Sequence, residues 1–423
     1  MADGPGTRPL EGLRVLDCSR VLSGPIAGRM PHDLGAEVIK VEPPEGDLTR
    51  FAVPRAGITS AYFAQQNTGK RNISLDLHRP EAVDLLLRVG EHCDVVIENS
   101  RPGVMDRLGL GYADFAARNP GIVYASITGY GQRGPWSDRR AFAVVIHAEM
   151  GLLEAGGRWR ADAGGTHDDE HADAGTARDL RAQDPMSHAD VYAGLHCSSA
   201  ILAAIIQRGR TGHGQHIDVD MAEALLHVND FAHWDLADAD PGATRPSLAP
   251  VYSPIVTTGD GTDIVIAGDP GNGIVFEGYV LAMDRPELRE DPRFGPEARG
   301  AHRHEILAII REWVATFDRV EDLQARLDEI GLVNGVVRTI GDAATTEWAI
   351  ARGAIAEVDD RRGGVARIPQ APWRFSGAAT GVRGVPAWRG EHNHEVLGEL
   401  LGLAPDAIDR LEADGVLSSR RPT

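Results

Sequence analysis

Apolar positions along this chain fall into two alternating spacings. RVLDC (14 to 18), EVIKVE (37 to 42), DVVIEN (94 to 99) and IVYASITGYG (122 to 131) are short apolar runs closed by polar or glycine residues, and each predicts a strand. Between them, SGPIAGRMPHDLG starts a helix at Gly24 and Pro25 and closes it before Gly35, while PEAVDLLLRVGEHC (80 to 93) carries helical spacing. Strands and helices that alternate at this spacing predict a parallel α/β fold, in which ligands gather at the carboxyl ends of strands. Those ends are residues 18 to 24, 98 to 101 and 128 to 134.

Further on, GHGQHIDVDMAEALLHV (212 to 228) reads as a turn, a short strand and a helix, and IVTTGDGTDIVIAG (255 to 268) as a hairpin around Gly-Asp-Gly. Helical patterns at 305 to 317 and 320 to 331 complete a smaller α+β unit. The tail returns to strand-like AIAEVDD and ARIPQAPWRF and ends in a helix at HEVLGELLGL.

Composition narrows the function. The 423 residues, 42% apolar and 25% charged, suit a soluble globular protein of two domains with a sizeable core. With 43 Lys and Arg against 62 Asp and Glu, the formal charge of -19 disfavours nucleic acid and anionic membranes as partners, so an anionic ligand needs a local basic site. Cys18, Cys93 and Cys197 are too scattered for a disulfide framework or a zinc cluster. The N-terminus has no apolar signal region and no run approaches the roughly 18 apolar residues of a membrane span, so a cytoplasmic location is expected.

Nicotinamide and P-loop chemistry lose support, because no G-x-G-x-x-G follows the first strand and no G-x-x-x-x-G-K-[ST] occurs. THDDEHAD offers His167, Asp168, Asp169 and His171 close together, yet in a polar loop without a frame, so no metal is expected. The stretch SHADVYAGLHCSSAILAAIIQRG (187 to 209) is more informative. Its apolar run from Leu195 to Ile206 is helical in composition and stops at Gly209, and a single carboxylate, Asp190, stands at its head. The residues alone allow two readings: a helix cap, contributing roughly 0.5 to 2 kcal/mol, or a nucleophile with small neighbours that leave room for a substrate.

The motifs LEGLRVLD, GPIAGRMPHDLGAEVIKVEPPEGD, NTGKRNISLDL, ENSRPGVMDRLGLGY, ITGYGQRGPWSDRRAF, GQHIDVDMAEALL, DPRF and GEHNHEVLGELLGL run in order from residue 10 to 403. Together they resemble the class III CoA-transferases, the group that includes formyl-CoA transferase, carnitine CoA-transferase and alpha-methylacyl-CoA racemase. The resemblance implies a large Rossmann-like domain (1 to 228, with a linker helix), a small α+β domain (229 to 340) and a C-terminal segment (341 to 423) that returns to the large domain. It also implies a homodimer of interlocked rings. The implied substrates are an acyl-CoA and a carboxylic acid, with coenzyme A as substrate and no permanently bound cofactor.

Residue by residue, HADVYAG matches the family's small-small-Asp-x-x-x-Gly segment and places the catalytic carboxylate at Asp190. Positions that match CoA contacts are Val21, Leu22, Leu75, His78, Asn99, Ser100 and Arg107, with Arg140, Ala141, Phe142 and Ala143 in the loop near the thioester. A guanidinium at Arg107 can pair bidentately with phosphate, and Lys70 and Arg71 could add to that charge. GDPGNG (268 to 273) matches a glycine-rich loop that covers the transferase active site.

Three positions depart from the pattern. His78 stands where lysine is frequent, Ala143 where an acidic residue is usual, and Phe142 where the racemases carry a histidine base. Asp269 and Pro270 fall near the racemases' acidic-Pro pair, and His147 could substitute as a base or be a packed histidine. The expected activity is therefore CoA transfer between carboxylic acids. The alternatives are an acyl-CoA racemase or epimerase, in which Asp190 is a base, and a CoA-binding homologue without transferase activity.

Overall fold

A computed structural model describes residues 7–53, 55–56, 59–156, 186–230, 232–237 and 252–420. The chain divides into two compact units, one built from Met1–Met150, Asp184–Ala232 and Thr346–Thr423, the other from Gly151–Gln183 and His233–Thr345. His167, Asp168, Asp169 and His171 lie outside the described residues.

The first unit is organised by six strands: β1 (Arg14–Asp17), β2 (Glu37–Glu42), β3 (Arg71–Ser74), β4 (Val95–Glu98), β5 (Val123–Thr128) and β6 (His216–Asp220). They form one sheet in the order β3-β2-β1-β4-β5-β6, every pairing parallel. That order is the doubly wound one of dinucleotide-binding sheets. Strands β4 and β5 are buried along their whole length, which is why DVVIEN and IVYASIT read as continuous apolar runs.

Helix α1 (Ser23–Asp33) follows β1, and α2 (Pro80–Gly90) follows β3. Leu85, Leu86 and Val89 of α2 pack with Val96, Tyr124 and with Val396 and Leu397 of the C-terminal helix Asn393–Leu401. Strand β3 has no apolar run to announce it. Its polar residues are buried because they are bonded: Asn72 donates to Glu42 Oε1 at 2.5 Å, and the Ser74 N–H donates to Asn393 Oδ1 at 3.0 Å.

The short helices α3 (Val104–Arg107) and α4 (Ala143–Glu149) precede the long helix α5 (His188–Thr211), and α6 (Met221–His227) follows β6. Helix α5 corrects the sequence expectation at both ends. It begins at His188, seven residues before the apolar run, and passes through Gly209 to stop at Gly212, whose φ of 74° closes the helix in the left-handed region. Among the described residues α5 is also the one helix long and apolar enough to cross a membrane, contrary to the expectation that no run qualifies. It packs instead against α1, α6 and β5.

The second unit holds a three-stranded antiparallel sheet of β7 (Ile255–Thr257), β8 (Asp263–Ile266) and β9 (Asn334–Val336), in the order β9-β8-β7. Helices α7 (Gly273–Met283), α8 (Arg303–Val314) and α9 (Val320–Ile330) cover it, burying Phe276, Tyr279, Ile310, Leu323 and Leu327.

Candidate active site

Strands β1 and β4 are neighbours in the sheet although two strands separate them in sequence, so the sheet order reverses between them. Connections then leave in opposite directions and open a crevice at the carboxyl ends. Residues 18 to 22 line it from β1, Asn99 and Ser100 from β4.

Asn99 ties the two sides together. Its Oδ1 accepts from the Arg20 N–H at 2.8 Å, and its Nδ2 donates to the Arg20 carbonyl at 2.8 Å and to Ser23 Oγ at 3.2 Å. The Asn99 side chain, expected to touch CoA, is thus committed to the loop after β1. Ser100 is held by Glu98 Oε2, which accepts its N–H at 2.7 Å. Glu98 is buried at the end of β4, and burial pushes its carboxyl up to about 7 against hydrogen bonds from Ser126 and Ser100. Leu22 is buried, whereas Val21 is 38% exposed and has a φ of 68°. A β-branched residue rarely adopts that conformation, at a cost on the order of 1–3 kcal/mol.

Asp190 sits in the first turn of α5. It does not cap the helix: the Ala189 N–H donates to His147 Nε2 at 3.2 Å, so a buried histidine from α4 takes that orphan donor. Nε2 must then be unprotonated, which makes His147 a structural acceptor in this arrangement and not a spare base. Asp190 faces Ser23, the first residue of α1. Burial pushes the Asp190 carboxyl up to about 6, and hydrogen bonds from the Ser23 hydroxyl and backbone N–H pull against that rise. The phenol of Tyr62 is pushed up by its burial and by the Asp190 charge, which places it on the same side.

The Asp-x-x-x-Gly spacing has a steric origin. Gly194 lies one turn after Asp190, and a Cβ on it would stand 2.6 Å from the Ser23 carbonyl oxygen and 3.0 Å from Ile26 Cβ. Only glycine lets α5 approach α1 closely enough for the carboxylate to meet the α1 N-terminus. A helix N-terminus presents unsatisfied N–H groups that favour an anion. Ser23 was not among the expected site residues, although the Ser-Gly-Pro that opens α1 is a legible helix start.

Other expected residues are placed differently. Leu75 is wholly buried in the core beside Leu417, so its side chain is a packing residue. His78 is exposed beyond β3, the edge strand, with β2 and β1 between it and Asn99. Arg107 ends α3 and is exposed. Arg140 and Phe142 are exposed, Phe142 at 74%, and Ala143 is buried at the start of α4. Gly129 admits this loop, since a Cβ there would fall 2.3 Å from Ala141 Cβ. Neither Lys70 nor Arg71 is available to phosphate. Lys70 is buried on Asp17 at 2.8 Å, and Arg71 pairs with Glu37 and Glu399 at the amino end of β3.

In the second unit, the loop 268 to 273 is braced from within. Buried Asp269 accepts from Arg303 Nε at 2.7 Å and Nη2 at 2.8 Å, and the Arg303 guanidinium lies 4.7 Å from the Tyr252 ring centroid. Gly268 has a φ of 107°, and the Asn272 side chain caps α7 by accepting the Ile274 N–H at 3.0 Å. Asp269 is consumed by this brace.

Comparison with known proteins identifies the family. The family described as CoA-transferase family III matches residues 10–393. The chain is 32% identical over 418 residues to succinyl-CoA–D-citramalate CoA-transferase of Chloroflexus aurantiacus, covering 97% of this chain and 98% of that protein. It is 31% identical to succinate–glutarate CoA-transferase of Agrobacterium fabrum (95% and 98% covered) and 29% identical to formyl-CoA:oxalate CoA-transferase of Streptomyces avermitilis (97% and 100%). A CAIB/BAIF family protein from Brucella suis superposes with a TM-score of 0.77 at 32% identity, covering 93% of this chain and 100% of that one. The chain belongs to the family III CoA-transferases.

Proposed function

We propose that the protein moves CoA from an acyl-CoA to a free carboxylic acid, with Asp190 as the nucleophile. The observation that carries this reading is the Asp190 carboxylate itself, half-buried at the reversal of the sheet and faced by the α1 N-terminus, with its pKa raised to about 6. At neutral pH it is mostly ionised, and its partial desolvation leaves the anion more reactive than a solvated carboxylate.

Asp190 attacks the thioester carbonyl; the C–S bond breaks, CoA leaves as thiolate, and a mixed anhydride remains. The thiolate then attacks the aspartyl carbonyl and expels the first carboxylate, giving an aspartyl-CoA thioester. The acceptor carboxylate repeats the sequence in reverse: it forms a second anhydride with Asp190, and the thiolate takes its acyl group. Each attack on the aspartyl carbonyl builds charge on an oxygen beside Ser23, where N–H and O–H donors are already in place.

Val21, Leu22, Asn99 and Ser100 shape the CoA channel in this reading, with Arg107, Arg140 and His78 available to its phosphates. The working unit is an interlocked homodimer in the cytoplasm. Succinyl-CoA is the first donor to test, because relatives at 30–32% identity are named for it. The racemase alternative loses support: Phe142 replaces its histidine, Asp269 is held by Arg303, and His147 serves α5.

The test is to follow CoA exchange and alpha-deuterium incorporation together. Exchange without deuterium, with hydroxylamine or borohydride modifying Asp190, is the expected result. Deuterium incorporation without exchange would make Asp190 a base, and neither activity would leave a CoA-binding protein.

A further inference from the structure

The loop that brings Ser23 to Asp190 rests on four buried charges. Asp17, Lys40 and Asp47 are each 0% exposed and Lys70 is 2% exposed. All four reach backbone atoms of the same short segment. Asp17 Oδ1 accepts the Ser19 N–H at 3.0 Å, Lys40 Nζ donates to the Ser19 carbonyl at 2.6 Å, Asp47 Oδ2 accepts the Val21 N–H at 3.1 Å, and Lys70 Nζ donates to the Pro25 carbonyl at 2.9 Å. They also pair with one another, Lys70 with Asp17 at 2.8 Å and Lys40 with Asp47 at 3.4 Å.

Two lysines and two aspartates leave no net charge. Burying them is costly, and apolar residues of similar size would serve stability at least as well. What apolar residues could not do is satisfy the Ser19 N–H and carbonyl and the Val21 N–H, loop groups that lie outside the strand and the helix. Burial would raise the Asp47 carboxyl, but Lys40 and the bonds from Thr49 and Val21 hold it below its ordinary value, so it stays a charged acceptor.

We propose that Asp47 is a positioning residue for CoA transfer: its bond to the Val21 N–H holds Val21 in the left-handed region and thereby keeps Ser23 against Asp190. This rests on Asp190 being the nucleophile. Asn99 fixes Arg20 and Ser23 on either side of Val21, and Asp47 adds the bond to the N–H of Val21 itself, whose φ is 68°. Asp47 is in turn locked by the Thr49 N–H at 2.9 Å and the Thr49 hydroxyl at 2.8 Å. Among the described residues, Tyr62 is the titratable group on which the Asp190 charge acts, while His147 accepts the Ala189 N–H and its ring lies 5.8 Å from that of His188 in the same turn.

The experiment compares pH profiles of kcat/KM for succinyl-CoA in the wild type, Asp47→Asn, and Asp47→Asn with Val21→Gly. If Ser23 drifts from Asp190, the carboxylate loses bonds that favour its ionised form. Asp47→Asn should then lower kcat/KM at pH 7 by about tenfold and move the acid limb up by about half a pH unit. Glycine adopts the positive φ freely, so Val21→Gly should bring the limb back towards the wild-type position. If Asp47→Asn does not fold, Thr49→Ala removes one anchor of Asp47 and should move the limb in the same direction by less. An Asp47→Asn or Thr49→Ala enzyme that is less stable to heat but keeps both limb and KM overturns the proposal. Undiminished exchange by Asp190→Ala would break the nucleophile reading instead.

Discussion

Asp190 and Asp269 are both aspartates at the mouth of a helix, and they are treated in opposite ways. Asp269 is buried against Arg303, which takes both oxygens in a bidentate pair, and the Asn272 carboxamide two positions ahead of Ile274 finishes the turn. Asp190 is only half-buried but meets a serine hydroxyl and an amide, and its pKa rises to about 6. On the proposed reading, a brace and a nucleophile differ in the partners they are given. A carboxylate matched by a guanidinium is neutralised and fixed, whereas one that is desolvated and offered only neutral donors keeps its charge at neutral pH and its reactivity.

Asp190→Ala has the largest expected effect. It should reduce CoA exchange roughly 10³-fold or more, measured by transfer from succinyl-CoA to a free acid, while circular dichroism stays unchanged. The stability of Asp190→Asn sharpens the point. Because the folded carboxyl titrates at about 6 and its ordinary value is 3.8, the native state binds the proton more tightly. Asp190 therefore subtracts stability as pH rises from 3.8 through about 6, and Asp190→Asn should gain about 1–3 kcal/mol at pH 7 and nothing at pH 3.

Asp269→Asn should move stability the other way. It strands the Arg303 guanidinium over Tyr252 and should cost roughly 2–4 kcal/mol in denaturant unfolding, because one partner of a largely buried pair is removed. Equal stability in Asp269→Asn and wild type would mean that the brace is not one.

Gly194→Ala tests whether closeness to α1 matters. The added Cβ meets the Ser23 carbonyl, so the helices must separate and kcat should fall by about tenfold with a smaller change in KM. The mildest change is Ala143→Glu, which supplies the acidic group usual in the family. Ala143 is buried at the head of α4, and a glutamate there narrows the apolar edge that Phe142 begins. Activity with a bulky aromatic acyl-CoA should fall several-fold, about 1 kcal/mol, and that with acetyl-CoA should be spared. A gain with every donor would instead mark the missing carboxylate as the limiting group.

Much of the scaffold was legible because it depends on local pattern. The apolar runs at β1, β2, β4 and β5 and the Gly-Asp-Gly hairpin announce themselves within a few residues. Strand β3 did not, since Asn72 and Ser74 are buried by bonds to Glu42 and Asn393, partners as far as 319 positions away. The start of α5 was hidden for a similar reason, because its first turn is capped by His147 from another helix. In the site, Asp190 was legible as a lone carboxylate before a small-residue helix. Its partner Ser23 was not, since nothing near residue 190 mentions residue 23.

The α/β alternation and the carboxyl-end loops that could bind a ligand are written in contiguous spacing and composition, whereas the residues around Asp190 left it either a helix cap or a nucleophile, and only the family resemblance favoured the second. Only the fold sets which loops meet, that Asn99 serves Arg20 and Ser23, that Asp269 is taken by Arg303, and that burial raises the Asp190 pKa to about 6. Desolvation and hydrogen bonding act over a few ångströms of space and ignore distance along the chain, so a carboxylate's chemistry becomes visible only once the fold has chosen its neighbours.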